Sequence, residues 1–454
     1  MPLPDERASA QRVIDDLQEL AKLTSNERGA QRVAWGPTWR KARDWFSTKV
    51  ERELGVKTRR DTAGNLWASL PGTGAGSIVI GSHLDSVPGG GWLDGCLGVL
   101  AGLEVLRRVK ESGVAPPVTL HVADWADEEG ARFGRSLTGS AASAGALDAH
   151  GELGHLVDRE GVKLPAALEE NGVSLDGMMQ ARAWFDALEA HAYLELHIEQ
   201  GPVLEEQKDP VGVVLGTMGV ERYNLKFIGQ AAHSGAAPLH LRKDAFLAAA
   251  QFALETRAIS VRHSGKTPRT RVVATCGVVK VEPNFVTAVP GSTEISIDLR
   301  ALDGKVLQQM LKETKEAAAA AAKKFLVRVE VNPLLKITPR PFDERLMAFA
   351  RTAVKDVTGK APELPSGPLH DAAEMAAIVP TAMIFAQSSP GISHTRFEDT
   401  PLPALDKSIR AFFKLVDSTL AALPLGKAKA PAKSSKAKAK AKKPQRQRAR
   451  STAR

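Results

Sequence analysis

The feature that most constrains this 454-residue chain is an alternation of short β-branched runs with helical stretches, broken once by a segment of different order. Ser77–Ile80 and Val118–Ala123 read as buried strands, and Leu97–Lys110 between them as a helix. Strands that are apolar on both faces belong inside a sheet covered by helices, and such alternation joins them in parallel. The stretch to about residue 50, including AQRVIDDLQELAKL, adds helical periodicity ahead of the first strand. After about residue 212 the order changes: Arg222–Ile228 reads as a strand, Arg242–Ile259 as a helix, Arg271–Val281 and Thr293–Leu299 as strands, Val306–Lys324 as a helix and Val327–Val331 as a strand. This β-α-β-β-α-β order is ferredoxin-like. Helix and strand signals resume after Pro333. The expected class is therefore α/β: a mixed, mostly parallel sheet with helices on both faces, plus an inserted α+β ferredoxin-like domain. Residues 1–212 and 332–425 would form the discontinuous larger domain, 213–331 the insertion and 426–454 a tail.

Composition sharpens this picture. Hydrophobic residues make up 43% of the chain, enough for real cores. The net charge of +9 arises at one end: from Lys427 onward there are twelve basic residues and no acid, which leaves 49 basic against 52 acidic residues elsewhere. That Lys/Ala/Pro/Ser-rich tail has no apolar face to bury and reads as disordered. Its charge suits phosphate contact, yet it lacks aromatics for base stacking, so a solubilising extension is the plainer reading. No apolar run reaches the roughly 18 residues of a membrane span. The opening MPLPDERASAQ is polar and does not read as a signal peptide. Two distant cysteines, Cys96 and Cys276, argue against a disulfide framework and for a cytoplasmic setting.

Chemistry concentrates where strands end. His83 directly follows the apolar IVIG run, with Asp85 two residues on and Asp94 in the glycine-rich loop GGGWLDG. The second strand ends in Asp127, Glu128 and Glu129. Adjacent carboxylates repel one another, and burying them demands a cation. His197 follows the alternating LEL run, and His394 follows PTAMIFA. The carboxyl ends of parallel strands are where α/β sheets build their sites. Three histidines, an aspartate and a glutamate suffice to hold two divalent metals with one carboxylate between them, and such pairs sit roughly 3.5–4 Å apart and activate a shared water. Imidazole with carboxylate suits zinc or manganese, and also cobalt or nickel. His121, in mid-strand, reads as a core histidine; Cys96 reads as a small residue at a helix start. His150, His155, His191, His240 and His263 read as surface or structural groups. Gly89–Gly91 lacks the strand–GxGxxG–helix frame of a nucleotide loop.

Taken together, these segments resemble the N-carbamoyl-L-amino-acid hydrolase, allantoate amidohydrolase and β-ureidopropionase branch of the dinuclear aminoacylase/carboxypeptidase superfamily. The resemblance rests on GSHLDSVPGGGWLDGCLGVLAG, DEEGARFGRSLTGS, HIEQGPVLE, AAHSGAAPLHLRKDA, SGPLHDA and GISHTRFEDT, with a weaker match at DTAGNLWASLPG. HIEQGPVLE and SGPLHDA point to this branch rather than to the peptidases. The resemblance implies that His83 and His197 share the first metal, that Glu129 and His394 hold the second, and that Asp94 bridges them. It implies that Glu128 is the general base, that Asp85 orients His83, and that His233 stabilises the oxyanion. Gln200, Arg300 and the substrate would be in contact, with the Arg300 guanidinium on a substrate carboxylate. His370, in SGPLHDA, would line the site. Thr287 stands where relatives carry an asparagine that helps hold the carboxylate, so the substrate is the point where this chain departs from the pattern. The resemblance also implies a homodimer formed through the insertion, which would act as a lid over a small-molecule substrate.

The expected activity is metal-dependent hydrolysis of a linear, non-peptide C–N bond in an N-carbamoyl-L-amino acid or ureido compound. Allantoate or ureidoglycolate is the alternative substrate, and a non-catalytic binding protein on the same fold is the alternative class. The latter should lack a ligand or the base; here all five ligands and Glu128 are present.

Overall fold

A computed structural model describes residues 5–423; the basic tail expected at 426–454 lies outside them. The larger sheet has nine strands. Its strand order from one edge is 340–341, 211–217, 381–386, 190–198, 77–83, 119–125, 66–70 and 59–60, and strand 363–366 also pairs with 211–217. Four neighbours at its centre, 381–386, 190–198, 77–83 and 119–125, run parallel. Strands 211–217, 66–70, 59–60 and 340–341 make antiparallel pairings around them. All seven residues of Ser77–His83 and all six of Thr381–Ala386 are buried, which explains their continuous apolar character: both faces of the sheet are covered. One extended core joins these strands to helices Glu6–Thr24, Pro37–Leu54, Cys96–Ser112, Glu344–Thr358 and Leu402–Ala421. A second cluster, around Trp35, Trp39, Leu168 and Met178, packs the shorter helices of the 138–186 region.

The second sheet is antiparallel throughout, ordered 272–275, 292–301, 219–228 and 328–337, with 279–282 also on 292–301. Helices Ala245–His263 and Gly304–Lys324 bury a separate core that includes Leu225, Phe227, Phe252, Leu299 and Met310. The other sheet face carries cross-strand ion pairs, Arg222–Asp298 and Lys226–Glu294. The segment leaves and rejoins the larger sheet at adjacent points, since Arg340 pairs with Thr217.

Two elements differ from the sequence reading for identifiable reasons. The expected strand Arg271–Val281 is two pieces, Val272–Thr275 and Val279–Glu282. Between them the Ser296 hydroxyl accepts the Val278 amide at 3.0 Å, so a side chain interrupts the ladder. The strand expected at Val327–Val331 runs on as Arg328–Ile337. Pro333 cannot donate to a ladder, and the strand absorbs it with a register shift between Pro333 and Leu335.

Candidate metal centre

The four central parallel strands release their chains on one edge, and the chemistry collects there. His83 is the last residue of its strand and pairs with Trp125, so Glu128 and Glu129 leave the neighbouring strand at the same level. His197 pairs with Phe385, which places the end of its strand beside the segment leading to His394. Asp94 is brought in by the loop before helix Cys96–Ser112. Gly95 makes that approach feasible: its φ is +67°, and a Cβ there would lie 2.4 Å from the His83 carbonyl oxygen.

The result is two donor groups sharing one carboxylate. His83, Asp94 and His197 form one; Asp94, Glu129 and His394 form the other, each with its ligating atoms within 4.8 Å of one another. Asp94 Oδ1 faces His197 Nε2 at 3.2 Å and His83 Nε2 at 3.8 Å, while Oδ2 faces His394 Nε2 at 3.7 Å. Glu129 lies 3.3 Å from His394 Nε2, and Glu128 lies 3.6 Å from His83 Nε2. The two buried imidazoles are oriented alike. His83 Nδ1 donates to the Asp85 carbonyl at 3.1 Å and His197 Nδ1 to the Ile198 carbonyl at 2.9 Å, which turns both Nε2 lone pairs inward. His197 Nε2 is buried and makes no hydrogen bond among the described residues, despite its nearness to Asp94.

Electrostatics favour cations at this point. Burial, then the charge of neighbouring carboxylates, pushes Glu128 and Glu129 well above the usual carboxyl range. Burial also lowers His83 to about 4. Asp94 is opposed by burial but held below its ordinary range by His197, His83 and His394. Inward-facing lone pairs, an orphaned His197 nitrogen and three crowded carboxylates fit divalent metal ions.

The surroundings correct some expectations and extend others. Asp85 faces His83 Nδ1 with its carbonyl at 3.1 Å and its carboxylate at 3.7 Å, and the same carboxylate accepts the backbone amides of Glu128 and Glu129 at 3.2 and 3.1 Å, fixing the acidic turn. Gln200, at φ +58°, donates to Asp94 Oδ2 at 2.9 Å, so it steadies a ligand as well as lining the cavity. Ser393 and Glu398, neither singled out from sequence, complete that support. The Asp94 amide donates to Glu398 Oε1 at 3.2 Å, and the Ser393 hydroxyl to Glu398 Oε2 at 2.5 Å. A Cβ on Gly91 would fall 2.1 Å from Glu398 Oε1, so the glycine loop makes room for this buried acid. Glu195 is a further acid near His197 and His370, but its oxygens already accept from Ser82, Tyr193 and the Ala372 amide. His370 lines the cavity, buried, with its Nε2 unpaired.

The cavity holds about 390 Å³ and is closed on its far side by Arg300 and Arg222 from the second sheet. Arg300 donates to Asp298 at 2.7 Å and to the Gly367 carbonyl at 2.8 Å, and so spans the two sheets. His233 and Thr287 are not among its lining residues. They lie together on an exposed two-strand ribbon, with the Ser234 amide on the Thr287 carbonyl at 2.9 Å. His121 is the core histidine expected, bonded to Ser69 at 2.8 Å, and Cys96 is a buried free thiol at its helix start.

The family model described as peptidase family M20/M25/M40 matches residues 79–418, which contain His83, Asp94, Glu129, His197 and His394. The chain belongs to this family of hydrolases. It is 37% identical over 385 residues to an N-carbamoyl-L-amino acid amidohydrolase of Geobacillus stearothermophilus, covering 84% of this chain and 91% of that protein. It is 31% identical over 407 residues to an allantoate amidohydrolase of Bacillus subtilis, covering 89% and 96%. Among solved structures, an amidase of the hydantoinase/carbamoylase family from Burkholderia multivorans superposes with a TM-score of 0.81 at 30% identity, over 90% of this chain and 97% of that one. In this M20-family chain, no helix among the described residues is long and apolar enough to cross a membrane.

Proposed function

We propose that this protein hydrolyses the linear C–N bond of an N-carbamoyl-L-amino acid or a related ureido compound, with Glu128 as general base. The observation that carries the reading is the shared Asp94 carboxylate, with one oxygen toward His83 and His197 and the other toward His394. Two divalent cations bound there, of zinc or manganese or alternatively cobalt or nickel, would supply Lewis acidity and a water acidic enough to ionise near neutral pH. The chain's own residues do the rest. Glu128, held over the cavity by the Asp85 carboxylate on its amide, takes a proton and delivers it to the leaving nitrogen. Arg300 offers a planar fork to the substrate carboxylate opposite the ligands. Gln200 and His370 line the remaining walls. A small molecule of this kind fits the cavity of about 390 Å³.

His233, the expected oxyanion donor, and Thr287 lie on the exposed ribbon beside Leu239, Leu241, Phe285 and Val286, all exposed. These apolar side chains support a homodimer formed through the 213–331 segment, in which the ribbon of one subunit completes the site of its partner. The segment then acts as a lid.

An allantoate amidohydrolase and a ureidoglycolate hydrolase among the relatives keep allantoate and ureidoglycolate as the second reading. The test is ammonia release from a panel of N-carbamoyl-L-amino acids, β-ureidopropionate, allantoate and ureidoglycolate, on enzyme stripped by chelator and then reconstituted with each metal. Activity should vanish on stripping and return with metal. Turnover that survives complete stripping would overturn the reading.

A further inference from the structure

A second cavity, of about 640 Å³, adjoins the metal centre and shares Ser136, Arg222 and Leu369 with it. It is larger than the space that the ligands and Arg300 enclose. Neither the metals nor the carboxylate fork uses it, and its lining states what would fill it.

The junction is positively charged. Arg222 donates through Nε and Nη2 to Asp298 Oδ2 at 3.0 and 2.6 Å, and Arg300 binds the same carboxylate at 2.7 and 3.2 Å. One acid serves two guanidinium groups, so this wall keeps a net positive charge facing both cavities. Leu137, Leu335, Ile337 and Leu369 give the second cavity apolar lining. Arg340 is also on this lining, half-buried, and its guanidinium makes no hydrogen bond or salt bridge among the described residues. The other cations on this lining are engaged: Arg135 by Glu152 at 3.1 Å, Lys336 by Glu221 at 3.2 Å. Glu374 is the remaining acid; burial pushes its carboxyl upward, Arg135 and Arg340 oppose that, and Glu152 adds to it. A cationic tail would meet Arg222 and Arg340. A wholly apolar one would bury the Arg340 guanidinium with the charge of Glu374 nearby but no hydrogen bond, which is costly.

We propose that this second cavity receives the side chain of the substrate and that this side chain ends in a carboxylate, making the substrate the N-carbamoyl derivative of an acidic amino acid. The inference rests on the carbamoyl-hydrolase reading above and adds its specificity. The scissile ureido group lies at the metal ligands, the α-carboxylate lies on Arg300, and the methylenes pass Leu369 to bring the distal carboxylate to Arg340.

The test compares kcat/KM for the N-carbamoyl derivatives of L-aspartate, L-glutamate and L-2-aminoadipate, each against its own side-chain amide, with N-carbamoyl-L-alanine as reference. Acid and amide match in shape and differ in charge. At least one acid should exceed its amide by about tenfold or more, mainly through KM. Arg340→Met should bring that ratio to about one, and Arg340→Lys should keep most of it; thermal melting of both variants reports that they are folded. Acid and amide turned over alike, or a ratio unmoved by a folded Arg340→Met protein, would overturn the subsite while leaving the carbamoyl-hydrolase reading standing. Failure to hydrolyse any member of the panel, alanine included, would overturn that reading and the subsite with it.

Discussion

At the scale of single residues, the centre separates groups that bind from groups that hold the binders in place. Glu128 has its carboxylate in the cavity but belongs to neither group of three donors. Glu128→Gln should therefore keep its metal content while kcat falls by a factor on the order of 10²–10⁴; metal analysis alongside turnover checks both halves, and loss of metal in step with activity would make Glu128 a ligand instead. Glu398 touches no substrate space and supports Asp94 through its amide and through Ser393. Its removal should act on binding: Glu398→Ala should weaken metal retention by roughly 10–100-fold in competition with a chelator, with Glu398→Gln intermediate. Equal retention in wild type and both variants would refute that role. The candidate ligands were legible in the sequence because each lies at or a few residues beyond the end of an apolar strand or in the loop that follows one, a juxtaposition that stands out in one dimension. Glu398, Glu195 and Arg222 were not, because nothing in their neighbours along the chain distinguishes them from surface charges; only the folded contacts do. Asp85 shows the same limit from the other side. Its position two residues after His83 suggested a carboxylate–imidazole contact, which is there at 3.7 Å, but gave no sign that the same carboxylate also accepts two amides 43 and 44 residues away.

At the scale of elements, the central strands were legible because burial on both faces writes an unbroken apolar run. The strand carrying His121 has a measurable consequence. His121 is buried on Thr119–Trp125 against Ser69, and burial lowers its imidazole from 6.5 to about 4. The folded state thus holds it neutral while the unfolded chain protonates it below about 6.5. A depressed imidazole contributes stability above the unfolded value and loses it as the pH falls toward the folded one. The loss at pH 5 is about 2 kcal/mol from this residue alone. Replacing His121 with Gln should flatten the decline in melting temperature between pH 7 and pH 5 relative to wild type; parallel curves would show that the acid sensitivity lies elsewhere. The same strand shows what sequence leaves out. Its end was visible as a cluster of acids, but the left-handed turn at Asp127, φ +60°, and the Trp35 indole on Asp127 at 2.9 Å come from segments far apart in the chain.

At the scale of the whole molecule, the placement of His233 bears on the proposal that one active site draws residues from two subunits. The residue is exposed on a ribbon outside the cavity of its own chain, while Arg300 from the same segment is already inside it. A lid motion that carried His233 into the site in cis would have to take Arg300 with it and break its bond to the Gly367 carbonyl. A partner subunit would supply His233 without that cost. If so, Glu128→Gln and His233→Ala each inactivate every site in their own homodimers, yet a mixed dimer contains one site with both residues: the Glu128 of the His233→Ala subunit together with the His233 of the other. Unfolding and refolding the two inactive variants in equal amounts should make half the dimers mixed, each with one competent site of two, and so restore about a quarter of wild-type activity. In a cis arrangement no site in any dimer holds both groups, and the mixture stays as inactive as its parts. Recovery therefore reports at once that the chain is at least a dimer and that its active site is shared across the interface.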